Sequence, residues 1–127
     1  MTRGSELRVL CTATVQAPRP LRGALAAFLR ALEVEQIVSE DILVAVGEAL
    51  ANSVEHAYPG EPGTVELHAL AEDEATLQVD VRDRGVFTER ARHPDRGLGL
   101  QIVRAIAREV RIERNGGTRI SMTFDAR

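Results

Sequence analysis

The sequence predicts an α/β two-layer sandwich: a mixed, mostly antiparallel sheet with three helices on one face. Three observations predict it. Segments alternating apolar and polar residues are interleaved with segments whose apolar residues recur every three or four positions, in the order β-α-α-β-β-α-β-β. At least four of the strands keep a polar face, whereas parallel strands covered on both sides read as continuous apolar runs. Two strand connections, Ala71-Glu72-Asp73-Glu74 and Asn115-Gly116-Gly117, are hairpin-length and too short for a crossover. A doubly wound dinucleotide fold is therefore disfavoured despite the glycines, and residues 1–127 read as a single domain.

From Glu6 to Gln16 the chain alternates, with Leu7, Val9, Cys11, Ala13 and Val15 on one face, which is a strand. Pro18 and Pro20 end it. Leu21, Leu25, Phe28, Leu29 and Leu32 then fall at helical spacing, with Pro20 in the opening turn where its missing N–H costs nothing. Ser39 is the expected N-cap of a second helix, followed by Glu40 and Asp41 at its positive end. Ile42, Ala45, Val46, Ala49, Leu50, Ser53, Val54 and Ala57 give that helix one buried face.

Residues 58–63 are rich in proline and glycine and form a loop. Val65, Leu67 and Ala69, then Leu77, Val79 and Val81, mark two strands. From Asp83 to Arg96 no period survives, and the segment reads as a loop. Gly97-Leu98-Gly99 opens a third helix buried through Leu100, Ile102, Val103, Ile106, Ala107 and Val110. A short strand, Val110–Arg114, turns at Asn115-Gly116-Gly117 into a last strand with Ile120, Met122 and Phe124 on one side.

Composition narrows the function classes. The formal charge is -3, so no excess of basic side chains is available to displace counterions from nucleic acid. No apolar run is long enough to span a membrane, and the N-terminus lacks the apolar core of a signal peptide. The single cysteine, Cys11, makes no internal disulfide, and the cytoplasm is the expected compartment.

Three features carry possible chemistry. Glu48, Asn52 and His56 line one stripe of the long helix; residues four apart differ by about 40° in azimuth and roughly 6 Å in height, so Glu48 and Asn52 can address one small space. Their oxygens suit a hard cation such as Mg²⁺, which takes few protein ligands and completes its shell with water and phosphates. Alone, such a stripe more often faces water. Asp83-Arg84-Gly85 follows a strand and can hold a carboxylate toward a ligand N–H, although Asp and Gly are also ordinary turn residues. Asp95-Arg96-Gly97-Leu98-Gly99 precedes a helix, where backbone N–H groups and the positive helix end favour phosphate. Taken singly, it is equally a plain loop before a helix.

In combination these motifs resemble the histidine-kinase-like ATPases, whose nucleotide site is the Bergerat fold. Within that group they are most similar to the small bacterial anti-sigma serine kinases. EALANSVEHAY matches the N-box, DRG the first glycine box, RGLGLQIV the second, and Gly117-Thr118 the pair opening the last strand. The resemblance implies that Asn52 ligates Mg²⁺ on ATP and that Glu48 is the general base. It implies that Asp83 accepts the adenine amino group, that Gly85 lets the backbone turn beneath the base, and that Thr118 supports the pocket. Arg96, Gly97, Leu98 and Gly99 would cradle phosphates, and residues 86–95 would be a short lid. His56 and Tyr58 match the N-box tail as structural residues; His68 and His93 have no ligand spacing.

The implied activity is transfer of phosphate to a serine of a STAS-type anti-anti-sigma protein, coupled to sequestration of a sigma factor, by a homodimer. Two positions depart from the family pattern: Phe87 stands where a second glycine is usual, and Asp95 where a glycine precedes Arg-Gly. They favour the rival reading, a nucleotide-binding module that grips a partner without kinase activity.

Overall fold

The computed structural model describes residues 1–14, 16–57, 63–84 and 97–127, with His56, Ala57, Gly97 and Leu98 described by backbone only. The elements are β1 (Glu6–Thr12), α1 (Pro18–Ala31), α2 (Gln36–Ala57), β2 (Thr64–Ala71), β3 (Thr76–Asp83), α3 (Gly97–Ile106), β4 (Glu109–Arg114) and β5 (Thr118–Asp125). They form one five-stranded sheet in the order β1-β2-β3-β5-β4. All four pairings are antiparallel.

The period-two pattern explains the layers. Val65, Leu67, Ala69, Leu77, Val79, Val81, Ile120, Met122 and Phe124 point to one face and are buried. Leu21, Leu25 and Leu29 of α1, with Ile42, Val46, Ala49 and Leu50 of α2, join them in a single core. Each such Val, Leu, Ile, Met or Phe side chain contributes about 1.5–3 kcal/mol by leaving water. The other sheet face carries polar cross-strand contacts, among them Thr123 Oγ1 donating to Gln78 Oε1 at 2.7 Å and Arg119 Nη2 donating to Glu113 Oε2 at 3.1 Å.

The turns are built from local chemistry. Between β2 and β3, Asp73 Oδ1 accepts the N–H groups of Ala75 and Thr76, each at 2.8 Å. The Ala75 N–H is the main reason the Asp73 carboxyl is held below its ordinary value of 3.8. Between β4 and β5, Gly116 and Gly117 take φ values of 68° and 132°, open to glycine and strained for other residues. Helix α1 ends in a Schellman arrangement: Val34 N–H bonds Leu29 O at 3.1 Å and Glu33 N–H bonds Arg30 O at 3.0 Å. Glu33 occupies the left-handed position, with φ 59°.

Five boundaries differ from the sequence expectation, one of them at Asp83, which ends β3 rather than opening the loop that follows. Ser39 is not an N-cap: helix α2 starts at Gln36, and the Ser39 N–H already bonds Glu35 O at 2.9 Å. The Glu33 turn delivers the chain into helical geometry before Ser39 is reached. Helix α1 starts at Pro18, because both prolines fit a first turn that requires no N–H donors. Strand β1 stops at Thr12, although the Ala13 N–H still bonds Gly63 O at 2.8 Å. Helix α3 stops at Ile106, so Val110 belongs to β4 alone.

Candidate functional site

Helix α2 places the first pair of expected site residues. Its buried side is Ala45, Val46, Ala49, Leu50 and Ser53, while Glu48 and Asn52 are half-buried on the flank, one turn apart. That flank meets the start of α3. A Cβ built on Gly99 would lie 3.0 Å from Glu48 Oε2. The carboxylate therefore occupies the space that any larger residue at position 99 would claim. Gly97 and Leu98 are the first two residues of α3, where backbone N–H groups lack intrahelical acceptors. An acidic side chain, a glycine and a set of outward-facing N–H groups thus meet at one helix start.

The second pair lies at the end of the central strands. Asp83 closes β3 on the helical face and is only 3% exposed. Its Oδ1 accepts the Thr118 N–H at 3.2 Å, in the register that pairs Asp83 with Thr118. Gly117 makes this approach possible, since a Cβ there would run into the Asp83 carbonyl oxygen and the Arg84 Cα. A cavity of about 160 Å³ borders Asp83, Asn115, Gly117 and Thr118.

Val65 at the start of β2 pairs with Asp83. Only six residues, 58–63, separate the last residue of α2 from the first of β2, a span of at most about 25 Å. The last residue of α2 therefore lies within that reach of the start of β2, whose Val65 is paired with Asp83. Gly85, Arg96, the expected lid 86–95 with Phe87 and Asp95, and Tyr58 lie outside the described residues, as does the His56 side chain.

The sequence reading missed one feature. A groove of about 730 Å³ runs between α1 and α2, bordered by Arg19, Arg22, Leu43, Gly47 and Glu48. Arg22 lies across Gly47: its Cδ and Nε would each be 3.6 Å from a Cβ at that position. Gly47, costing about 1 kcal/mol against alanine in a helix interior, was the only signal. Its meaning required knowing that α1 crosses there. Among the described residues no group of three or more His, Cys, Asp or Glu side chains is gathered for a metal. No helix among them is long and apolar enough to cross a membrane.

Comparison with known proteins bears out the family resemblance and the fold. Residues 11–124 match the family described as histidine kinase-like ATPase domain. The chain is 31% identical to the serine-protein kinase RsbW of Bacillus pumilus, over 66% of this chain and 63% of that protein. It is 27% identical to the anti-sigma F factor of Bacillus cytotoxicus, over 94% of this chain and 91% of that protein. A crystal structure of the RsbU and RsbW domains of a Mycobacterium tuberculosis protein superposes with TM-score 0.76 at 29% identity, covering 95% of this chain and 32% of that one. The chain thus spans just under two thirds of the length of the RsbW relative and about a third of the two-domain chain.

Proposed function

Because the chain belongs to the histidine kinase-like ATPase domain family, we propose that it is a Mg²⁺- and ATP-dependent serine-protein kinase and anti-sigma factor. Its protein substrate is a STAS-type anti-anti-sigma partner, its second partner a sigma factor, and its working form a cytoplasmic homodimer. The relatives named serine-protein kinase and anti-sigma F factor support this class of function.

The residues present fit ATP. Asp83 offers a buried carboxylate to the adenine amino group, with Thr118 beside it. Gly99 leaves open the space in which Glu48 sits. The start of α3 supplies N–H groups for phosphate oxygens, joined in this reading by Gly97, Leu98 and Arg96, while Gly85 lets the chain pass under the base. Mg²⁺ would neutralise phosphate charge, and the Asn52 amide oxygen would hold it.

In the reaction the acceptor serine Oγ attacks the γ-phosphorus. The new O–P bond forms as the bond to the β–γ bridging oxygen breaks, ADP departs, and the serine proton passes to Glu48. Phosphoryl transfer asks the protein chiefly for position and charge compensation; the Glu48 carboxylate would position the serine hydroxyl, and the helix start would supply positive potential for the phosphates. The α1–α2 groove, which Glu48 helps to line, is in this reading the approach for a protein hydroxyl.

The observation that carries this reading is the apposition of Glu48 and Gly99. Glu48→Gln is expected to keep ATP affinity within about twofold and to lose phosphoryl transfer by at least about a hundredfold. Radiolabelled ATP with a STAS-type partner measures both, and undiminished labelling would remove Glu48 from its role.

A further inference from the structure

Strand β1 is an edge of the sheet, and no described element pairs with its outer side. The Ala71 N–H bonds Ser5 O at 2.9 Å, and the Ala13 N–H bonds Gly63 O at 2.8 Å. In an antiparallel ladder, residues that exchange hydrogen bonds alternate with residues that do not. Ser5 and Ala13 therefore fix Leu7, Val9 and Cys11 as the residues whose backbone turns toward β2. Glu6, Arg8, Leu10 and Thr12 turn their N–H and C=O groups to the open side. The Thr12 carbonyl also accepts the Thr14 N–H at 2.9 Å and keeps a second lone pair.

A regular, unpaired strand edge is a template for another strand, and proteins that keep such an edge single blunt it with charge or proline. The opposite edge, β4, is charged at Glu109, Arg111, Glu113 and Arg114, most of its length. β1 carries only Glu6 and Arg8, and no proline. Arg8 is already matched within its own chain, by Glu6 at 3.5 Å and Glu66 at 3.4 Å. Leu10 is 63% exposed. On the helical face, Leu7, Val9 and Cys11, with Phe28 of α1, are only partly buried against the core. The edge thus offers backbone donors and acceptors flanked by apolar side chains that one sheet leaves half covered.

We infer that β1 pairs antiparallel with β1 of a second copy of this chain, about a two-fold axis at Val9, joining two five-stranded sheets edge to edge. The residues select that axis. Centred on Val9, the whole strand overlaps: Glu6 meets the partner's Thr12 and Arg8 the partner's Leu10, so each outward N–H finds a C=O. An axis at Arg8 would set two guanidinium groups directly opposite each other. An axis at Leu7 or Leu10 would leave part of the strand without a rung. With the axis at Val9, Leu7 faces the partner's Cys11 in a close pair that covers the partly buried strip. Leu10 lies along the aliphatic stem of the partner's Arg8. The strands of Asp83 and Thr118, β3 and β5, stand two and three places in from this seam. The inference rests on the homodimer in the reading above and gives it a surface.

The test uses the full chain in sedimentation velocity and in oxidative cross-linking. The parent is expected to sediment as a dimer. Leu10→Arg places a second cation against the partner's Arg8 on an exposed position, and is expected to raise the dimer dissociation constant by at least about tenfold. Across the axis the two Val9 Cα atoms would be about 4.5 Å apart, within disulfide reach, and the two Cys11 Cα atoms about 14 Å, beyond it. Val9→Cys combined with Cys11→Ser should therefore oxidise to a covalent dimer, while the parent, with Cys11 alone, should not. A dimer that Leu10→Arg leaves unchanged, or a Val9→Cys chain that stays uncross-linked while the parent sediments as a dimer, would place the seam elsewhere and leave the homodimer reading intact. A parent chain that sediments as a monomer would overturn both.

Discussion

At the scale of the residue, the site depends on side chains that do not tolerate their nearest substitutes. Gly99 is the clearest case. A methyl group there would stand 3.0 Å from Glu48 Oε2, closer than side chains normally approach. Gly99→Ala should therefore push the carboxylate out of place, lowering the phosphoryl-transfer rate by at least about tenfold, whereas alanine in a helix adds up to about 1 kcal/mol of stability. Single-turnover rates and a melting curve measured on the same variant separate the two effects; a normal rate would show that Glu48 has room to adjust. Asn52→Ala makes a complementary prediction. It should abolish the Mg²⁺-dependent part of ATP affinity and leave the fold intact, with calorimetric titration in Mg²⁺ and in EDTA as the measurement. Glu48, Asn52, Asp83 and Thr118 could be singled out as candidates in the sequence because each falls at a fixed offset within a motif. Arg22 could not, because its place over Gly47 depends on a helix packed from elsewhere in the chain.

At the scale of the element, two turns show where local sequence and local structure disagree or agree. Glu33 ends α1 in a left-handed conformation that glycine adopts freely and glutamate does not. Glu33→Gly should raise the stability of the chain by about 0.5–1 kcal/mol, read as a shift in the urea midpoint at constant slope. An unchanged or lower midpoint would mean that the Glu33 side chain offsets its backbone strain. In the β2–β3 turn the carboxylate of Asp73 is favoured over its acid by the Ala75 and Thr76 N–H groups. Its folded value lies below the ordinary 3.8, so its contribution is present above that pH and is lost as pH falls through the folded value. Asp73→Asn should consequently shed a small part of the acid sensitivity between about pH 5 and 2. Parallel acid titrations of the two proteins by circular dichroism provide the check, and coincident curves would exclude the effect. The residue pattern anticipated this hairpin, whereas the start of α2 escaped it, since Ser39 has the chemistry of a cap but not the backbone position.

At the scale of the whole molecule, ATP binding should couple to folding, because the expected contacts come from elements distant in sequence: Glu48 and Asn52 from α2, Asp83 from β3, Gly99 from α3 and Thr118 from β5. A ligand that binds only the folded chain adds RT ln(1 + [L]/Kd), about 2.7 kcal/mol at a hundredfold excess over Kd. Mg²⁺–ATP should accordingly raise the melting temperature by roughly 5–10 °C for a domain of this size. Asn52→Ala should remove the share of that shift which depends on Mg²⁺. A melting temperature indifferent to Mg²⁺–ATP in the parent would leave a family member that no longer uses its nucleotide.

The sequence by itself determined the layers, the order of the elements and the two-sided character of the sheet, because periods of two and of about 3.6 are properties of a few consecutive residues and their solvent. It also determined which residue types carry the motifs. Only the tertiary structure decided that Gly99 leaves room for the Glu48 carboxylate, that Gly117 lets the last turn close over Asp83, that Glu48 borders a groove between α1 and α2, and that the Ser53 hydroxyl is buried with no partner among the described residues. These facts concern atoms far apart in the chain, and their distances are set by packing, which no local periodicity encodes.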